Sequence, residues 1–264
     1  MLNKIFNHRV KALFMRHLYP LRRDFDLLSD MIYWPLIDTL TWGITGSWLT
    51  EESGSPTLVT AILMGLILWN IIWRSQSEVG RNLMDEIWNS NLSNLFSTPL
   101  KISEWLTAVL GLSVIKTLIT LGIMVPAILI LYAVNAFTLG WWLVPFFFLC
   151  SMTGWWVGLL GSGIVLRYGP KVQTIIWTLP GILLPFSAIY FPVDRLPFLV
   201  QKISMLVPTT YVLESMRAAV GGAPINPTYL YISFGLNVLY LTLAGWFFIR
   251  SFAYSKNLGL DRFL

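Results

Sequence analysis

The chain has 264 residues, of which 56% are hydrophobic and only 12% are charged, whereas soluble domains carry about 25% charged residues. This composition excludes a soluble globular domain, because a fold of this size could not bury so much apolar surface. The net charge of +5 does not require a nucleic-acid partner, since membrane proteins retain Lys and Arg on their cytoplasmic loops. We therefore expect an all-α polytopic membrane protein that binds no nucleic acid and forms one domain over residues 1–264.

Residues 1–30 form a segment of mixed apolar and cationic character. Apolar side chains recur at helical spacing and cations fill much of the rest: Phe6, Val10, Leu13, Phe14 and Leu21 are apolar, and Lys4, Arg9, Lys11 and Arg16 are cationic. This pattern predicts an amphipathic helix that lies in the inner membrane interface and ends at Pro20. The alternative is a soluble amphipathic helix packed on a partner, and the nearness of the first apolar stretch favours the interface.

Six stretches poor in charge follow, each of about the 20 residues that a helix needs to cross the hydrocarbon core. They predict transmembrane helices at 31–50, 57–76, 108–132, 140–166, 172–190 and 229–250. Asn and Gly residues between 135 and 140 indicate the turn between the third and fourth of these helices. Pro180 and Pro185 are expected to kink the fifth.

The distribution of cations predicts how the spans are oriented. With both termini in the cytoplasm, fourteen cations lie on inner segments and three on outer ones, which is a positive-inside bias. The inner cations are Lys4, Arg9, Lys11, Arg16, Arg22, Arg23, Arg74, Arg81, Lys101, Arg167, Lys171, Arg250, Lys256 and Arg262; the outer ones are Arg195, Lys202 and Arg217. We expect a protein of the cell (inner) membrane with both termini cytoplasmic.

Groups that could catalyse a reaction at membrane depth are scarce in the sequence. The two histidines, His8 and His17, both lie in the N-terminal segment, so Ser162 has no histidine to serve as its base. No phosphate-binding loop and no metal-ligand motif occurs. We therefore expect no catalysis, cofactor or metal in this chain. Three glycines near Ser162 are interpreted as positions of close helix packing: Gly154, Gly158 and Gly161.

Asp38 and Lys116 are charged residues inside predicted spans. A charge at a helix centre costs about 2.5–3.5 kcal/mol on insertion scales, so both side chains should face protein or water. One interpretation makes them pore or coupling groups. The other has Lys116 extend to the cytoplasmic interface and Asp38 bond to a neighbouring helix. The sequence favours the second interpretation for Lys116 and does not decide between the two for Asp38.

The inner loop between the second and third spans predicts a short helix at 85–99. An apolar stripe lies along it, and Pro99 ends it: the stripe is Ile87, Leu92, Leu95 and Phe96. Such a helix fits a groove of a partner protein, and it equally fits a solvated connection.

The outer region between the fifth and sixth spans, 192–222, is too apolar for a free loop. It predicts two short helices, at 196–206 and 209–219, that re-enter the outer leaflet with their backbone groups paired. Pro208 is expected to begin the second of them.

Two sequence patterns within this series of predicted elements resemble those of a known family. The first pattern is Leu92-Ser93-Asn94-Leu95-Phe96-Ser97-Thr98-Pro99-Leu100, and the second is Tyr190-Phe191-Pro192-Val193-Asp194-Arg195-Leu196-Pro197 followed by Pro208-Thr209-Thr210-Tyr211 and Arg217. The first resembles the coupling segment of ABC-2 type (ABCG-like, type V) exporter permeases, and the second resembles their outer signature. The likeness in element order covers nearly the whole chain. The sequence departs from the pattern at four positions, so a glutamate contact to the ATPase is not transferred to Ser93: the four are Ser90, Asn91, Ser93 and Val207.

The resemblance implies a homodimer joined to two separate ATPase subunits, which bind ATP and Mg. It implies ATPase coupling through Glu86, Trp88, Leu92, Leu95, Phe96, Thr98 and Pro99. It implies an outer gate at Phe191, Pro192, Pro208, Tyr211 and Arg217. Residues of 57–73 and 172–190 would line the path for an amphipathic substrate, such as a lipid-linked polysaccharide or glycolipid, a lipid or a drug.

Two other functions are weighed against export. An ion-coupled secondary transporter would show an internal repeat and more ionisable groups at membrane depth, and an intramembrane lipid-handling enzyme would need catalytic groups. The aromatic residues suit sugar stacking, but several tryptophans lie near predicted span ends, where interfacial anchoring is the ordinary explanation: Trp34, Trp48, Trp69, Trp73, Trp141 and Trp142. The sequence therefore leaves the substrate open.

Overall fold

The computed structural model of the chain describes residues 2–55 and 57–259, without the side chains of residues 2–7, Pro20 and Arg22. The expectations that rest on the side chains of Lys4, Phe6, Pro20 and Arg22, and on Arg262, lie outside the described part. All regular secondary structure in the described residues is helical.

The helices follow one another with short connections. They are α1 (Leu2–Leu18), α2 (Phe25–Ser53), α3 (Leu58–Trp88), α4 (Leu92–Ser97), α5 (Ile102–Tyr132), α6 (Leu143–Tyr168), α7 (Ile175–Leu183), α8 (Phe198–Ser204), α9 (Pro208–Val220) and α10 (Pro227–Asn257). Short 3-10 segments lie at Tyr19–Arg22, Ala136–Trp142, Pro170–Val172, Leu184–Phe186 and Val193–Arg195.

Polar caps and helix breakers explain several helix boundaries. The Asp24 carboxylate accepts a hydrogen bond from the Leu27 backbone N–H and so begins α2. The same helix ends at Gly54, whose φ of 65° suits a residue without a Cβ. At α10 the Asn226 side chain accepts from the Thr228 N–H, and Pro227 takes the first helical position, where its missing N–H costs nothing.

Four helical segments of the described part are long and apolar enough to cross a bilayer: Leu58–Trp88, Ile102–Tyr132, Ala136–Tyr168 and Pro227–Asn257. The most apolar window of α3 is 72% buried, against 28% for α5 and 22% for α10. Hence α3 lies at the centre of the bundle, and the outward faces of α5 and α10 are apolar surface that lipid must cover. The chain is an all-helical, membrane-embedded protein.

Two of the predicted spans differ in form from these four. The stretch 31–50 lies inside α2, a helix of 29 residues that Asp38 and many Trp, Thr and Gly residues make less apolar. The stretch 172–190 is not one continuous helix, because α7 has nine residues and 3-10 segments flank it. Pro185 lies in the 3-10 segment that follows α7, where its missing N–H weakens the helical ladder, whereas Pro180 lies inside α7 without ending it.

The predicted helix at 85–99 is corrected as well. The first part of that stretch belongs to α3, which continues to Trp88, and the separate helix α4 has six residues. A turn at 89–91 divides them, with Ser90 at a φ of 52°. In the same way α5 begins at Ile102 rather than at 108, because Glu104 accepts a hydrogen bond from the Lys101 N–H and Trp105 is buried.

The packing of α6 confirms the interpretation of its glycines. A Cβ on Gly154 would lie 2.5 Å from the Ile72 carbonyl oxygen, and one on Gly158 would lie 2.7 Å from the Val79 Cβ. Both partners belong to α3, so these glycines let α6 approach the central helix at backbone distance. A Cβ on Gly161 would lie 3.3 Å from Leu179 of α7.

Candidate functional site

Contacts between helix ends gather cations at one end of the bundle, which we call the basic end. It consists of α1, α4, the first turns of α2 and α5, and the last turns of α3, α6 and α10. An ion pair of 3.3 Å joins Arg81 of α3 to Asp30 of α2. The Arg167 guanidinium of α6 lies 5.3 Å from the ring centroid of Tyr254 on α10. The predicted coupling residues all lie at this end.

Two arginines of helix α1 bond it to the other helices of the basic end. Arg16 pairs with Glu86 of α3 at 2.8 Å, and Arg9 donates a hydrogen bond of 2.6 Å to the Pro99 carbonyl and lies 3.5 Å from Glu104 of α5. The Glu86 side chain is 2% exposed. Glu86 was predicted to contact a partner, but its carboxylate is buried and bonded within this chain.

The apolar residues of α4 pack into the chain's own core. Leu92 and Leu95 are buried, and the ring of Phe96 lies edge-on to Phe252 of α10 with centroids 4.5 Å apart. The apolar stripe therefore does not offer itself to a partner's groove, because α5 and α10 already cover it. This corrects the interpretation of the stripe as a docking surface.

The opposite face of α4 and the residues beside it are exposed and mostly polar. Exposed positions are Trp88, Asn89, Ser90, Asn94, Ser97, Thr98 and Pro99. Trp88 is 56% exposed and its indole N–H donates to the Gln173 side chain at 3.0 Å. The Thr98 hydroxyl donates to the Leu95 carbonyl at 2.6 Å. Of the predicted coupling residues, Trp88, Thr98 and Pro99 are the ones that a partner can reach.

A buried ion pair joins α3 to α5 just above the basic end. Lys116 Nζ lies 2.8 Å from Glu78 Oε2, the two side chains are 3% and 1% exposed, and Asn82 donates to the same oxygen at 3.1 Å. The prediction that Lys116 extends to the interface is wrong, because its ammonium is bonded inside the protein. Glu78 was missed, since a window poor in charge ends the second span before it.

His17 lies in a polar pocket at the basic end, formed by α1, α2, α3 and α5. The pocket has a volume of about 250 Å³ and is lined by Arg16, His17, Asp24, Leu27, Asn82, Asp85, Glu86, Asn89 and Lys116. Burial is the main cause that lowers the pKa of His17 to about 4, although Glu86 opposes this effect. His17 is therefore neutral at physiological pH.

At the other end of the bundle an arginine clamps an irregular segment onto α9. Arg217 donates to the backbone carbonyls of Ala188 and Ile189, the latter at 3.0 Å, and pairs with Glu214 at 3.0 Å. Glu214 also accepts a hydrogen bond of 3.0 Å from the Val193 N–H. The two side chains thus satisfy backbone groups of a segment that has no helix of its own at 188–192.

The remaining residues of the predicted outer gate surround this clamp without forming one cluster. Pro208 opens α9, and its carbonyl accepts a bond of 2.8 Å from Ser233 of α10. The Tyr211 hydroxyl donates to the Met205 carbonyl at 2.8 Å. Phe191 is 64% exposed, and Pro192 opens the 3-10 segment at 193–195. The structure brings together 188–193 and α9, while Phe191 points away from the protein core.

The second predicted intramembrane charge, Asp38, lies in a cleft between α2, α3 and the segment 184–190. We call it the aromatic groove; its volume is about 240 Å³ and it is lined by Asp30, Trp34, Pro35, Asp38, Trp42, Leu66, Trp69, Asn70, Trp73, Arg74, Leu184 and Tyr190. Trp42 and Tyr190 stack with ring centroids 4.1 Å apart and planes 20° apart. A larger groove of about 620 Å³ between α3, α5 and α6 has only apolar lining and offers nothing to recognise a polar group.

Asp38 is identified in the sequence as an unusual residue, whereas Trp34, Trp69 and Trp73 have there the positions of interfacial anchors. The available signal was their spacing: Trp34, Asp38 and Trp42 recur every fourth residue on one helix, and Trp69 and Trp73 do so on the next. A scan against models of protein families finds no match for this chain, and no curated protein matches it.

Proposed function

We propose that the chain is the permease subunit of an ATP-driven ABC-2 type exporter, which works as a homodimer with two separate ATPase subunits. The observation that carries the proposal is α4. This short helix is fixed to the ends of α3, α5 and α10 by Leu92, Leu95 and Phe96, and it leaves Asn94 and Ser97 exposed. A helix whose apolar side chains pack on the ends of the spans and whose polar face is free is suited to transmit the motion of a protein that docks on it.

The proposal includes six spans. Helix α2, whose 29 residues extend over about 43 Å at 1.5 Å per residue, is long enough to be the first. The interrupted segment of helical pieces over 170–186 would be the fifth. Such a broken helix is tolerated at membrane depth where protein or a water-filled cavity surrounds it, which fits its packing against α3 and α6.

The orientation follows from the basic end. In the proposed arrangement it faces the cytoplasm, because cations are retained on that side, and α1 lies along the inner interface with Leu13 packed inward. The helices α8 and α9 then lie at the outer side, where they would form the exit gate. Exposed apolar residues on α8 support contact with lipid there: Phe198, Leu199 and Ile203.

Force would pass from the ATPase to the spans through contacts already described. A partner that binds ATP and Mg and closes on α4 moves the turn between α3 and α5. Arg16 and Arg9 bond α1 to residues on either side of the same turn, and the ion pair of Glu78 and Lys116 joins α3 to α5 further from the basic end. Helices α1, α3 and α5 would therefore move as one unit. This motion would open a path for an amphipathic substrate, such as a glycolipid, a lipid or a drug.

Native mass spectrometry of the affinity-tagged chain, purified from its own membranes in mild detergent, tests the proposal. We expect a complex of two copies of this 30.1-kDa chain and two copies of a subunit with a phosphate-binding loop, and this complex should hydrolyse ATP. The chain purified alone should not hydrolyse ATP. A monomer, or a dimer that retains no ATPase under conditions that preserve other membrane complexes, would overturn the proposal.

A further inference from the structure

We propose that the aromatic groove binds an organic cation, with Asp38 as its counter-ion and the rings of Trp42 and Tyr190 as the surface on which it lies. The inference deepens the proposed function, and the identification of this ligand as an exported substrate rests on that function. Binding itself is a property of this chain.

The first observation is the state of the Asp38 carboxylate. Asp38 is half-buried in the groove, and among the described residues no donor or cation lies within bonding distance of its oxygens. An ionised carboxylate at membrane depth is unfavourable unless a charge or donors compensate it. Two other carboxylates that face the interior of the bundle have such partners, as Glu78 has Lys116 and Glu86 has Arg16. Asp38 alone of these three lacks one.

The other charges of the groove do not provide an anion site. Arg74 is 3% exposed, and it donates to both the side chain and the backbone carbonyl of Asp30, at 2.7 and 2.5 Å. Its charge is thus directed at Asp30 and is shielded from the open part of the groove. The carboxylate that remains open to a ligand is Asp38, so the groove favours positive charge.

The second observation is the aromatic surface around this carboxylate. Trp34 and Trp42 lie one helical turn on either side of Asp38 on α2, and Trp42 stacks against Tyr190. Trp69 and Trp73 extend the lining from α3. Aromatic faces attract a cation held within about 6 Å of the ring, and the attraction is stronger where water is excluded. Rings and carboxylate together are the elements that recognise ammonium groups.

The size of the groove selects an organic cation over a metal ion. A volume of about 240 Å³ corresponds to roughly eight water molecules, far more than a bare ion occupies. The described residues also contain no group of three or more His, Cys, Asp or Glu side chains that could hold a metal. A neutral sugar would stack on the rings, but it would leave the charge of Asp38 uncompensated.

The test measures equilibrium binding of benzyltrimethylammonium to the purified full-length chain in nanodiscs of neutral phosphatidylcholine, by quenching of tryptophan fluorescence. Neopentylbenzene, the uncharged carbon analogue of the same shape, and methyl glucoside are the comparison ligands. We expect saturable binding of the cation, at least roughly tenfold tighter than either neutral ligand, since charge compensation by Asp38 and the attraction of the rings both require a positive ligand.

Substitutions of groove residues test whether the cation binds in the aromatic groove. Asp38→Asn should weaken cation binding roughly tenfold, and Asp38→Glu should retain most of it. The matched control is Glu51→Gln, which removes an exposed carboxylate from the same helix outside the groove and should leave binding unchanged. Circular dichroism verifies the fold of each variant, and Trp42→Leu, which removes the stacked ring, serves as a second probe if Asp38→Asn does not fold.

The inference would be overturned by equal binding of methyl glucoside or neopentylbenzene, or by cation binding that survives both Asp38→Asn and Trp42→Leu. Absence of saturable cation binding would overturn it too. Because this assay contains no ATPase, such a failure would leave a complex with two ATPase subunits intact. Conversely, cation binding by a chain that assembles with no ATPase would support the groove and contradict the exporter.

Discussion

Replacing Lys116 by methionine is expected to destabilise the protein by about 3–5 kcal/mol, because it leaves the carboxylate of Glu78 buried without its cation. The two side chains are 3% and 1% exposed and their charged atoms lie 2.8 Å apart, so the carboxylate that remains stays buried. Asn82 donates one hydrogen bond to the same oxygen, which compensates only part of the charge. Scanning fluorimetry of the detergent-purified chain should show a lower melting temperature.

The double variant Glu78→Gln with Lys116→Met is the informative control for this pair. Removal of both charges should recover most of the lost stability, since no buried ion remains. Lys256→Met removes an exposed lysine at the same end of the bundle and should change the melting temperature little. If Lys116→Met melts like the unaltered chain, or if the double variant is no more stable than the single one, the ion pair does not join α3 to α5 as described.

Replacing Arg217 by alanine is expected to release the segment 188–193 from α9. The change removes the donor to the carbonyls of Ala188 and Ile189 and the cation that pairs with Glu214. Buried groups that lose their hydrogen bonds cost about 1–3 kcal/mol each. Trypsin should then cleave after Arg195, which is 80% exposed, roughly tenfold faster than in the unaltered chain, because a loosened segment fits a protease better.

The conservative variant separates charge from geometry at this clamp. Arg217→Lys keeps the positive charge but cannot bond to two carbonyls and a carboxylate in one plane, so its rate of cleavage should be intermediate. Lys202→Ala, which removes an exposed lysine of α8, should leave cleavage after Arg195 unchanged. Equal rates for Arg217→Ala and the unaltered chain would show that the clamp does not hold the segment.

Apolar composition predicts the membrane helices of this chain well, and charge misleads at their ends. The four long helical segments each overlap one predicted span, but α3 continues beyond the predicted end of its span at 76 as far as Trp88. The residues that seemed to end the span are charged ones whose partners lie far away in sequence, as Glu78 has Lys116 and Arg81 has Asp30. Since tertiary contacts satisfy these charges, no local window of sequence could show that the helix continues.

The sequence predicts the candidate sites only in part, because tertiary contacts decide which of their residues come together. The sequence identified Asp38 as unusual and marked the outer segment through Pro208 and Arg217, whose bonds the structure supplies. It could not show that Trp42 and Tyr190, which lie 148 positions apart in the printed sequence, stack on one another. Likewise the apolar stripe of α4 looked available to a partner, because a helical pattern alone does not tell which surface covers it.

Cross-linking from α4 tests the exporter assignment most directly. A photoreactive amino acid is placed at Asn94, at Ser97, or at Trp141, an 88% exposed residue between α5 and α6 that serves as the control. We expect positions 94 and 97 to form cross-links to a separate subunit that binds ATP, with a yield that changes on addition of ATP, and we expect no such cross-link from Trp141. An ATPase that cross-links only to Trp141, or cross-links from α4 that contain no ATP-binding subunit, would contradict the account.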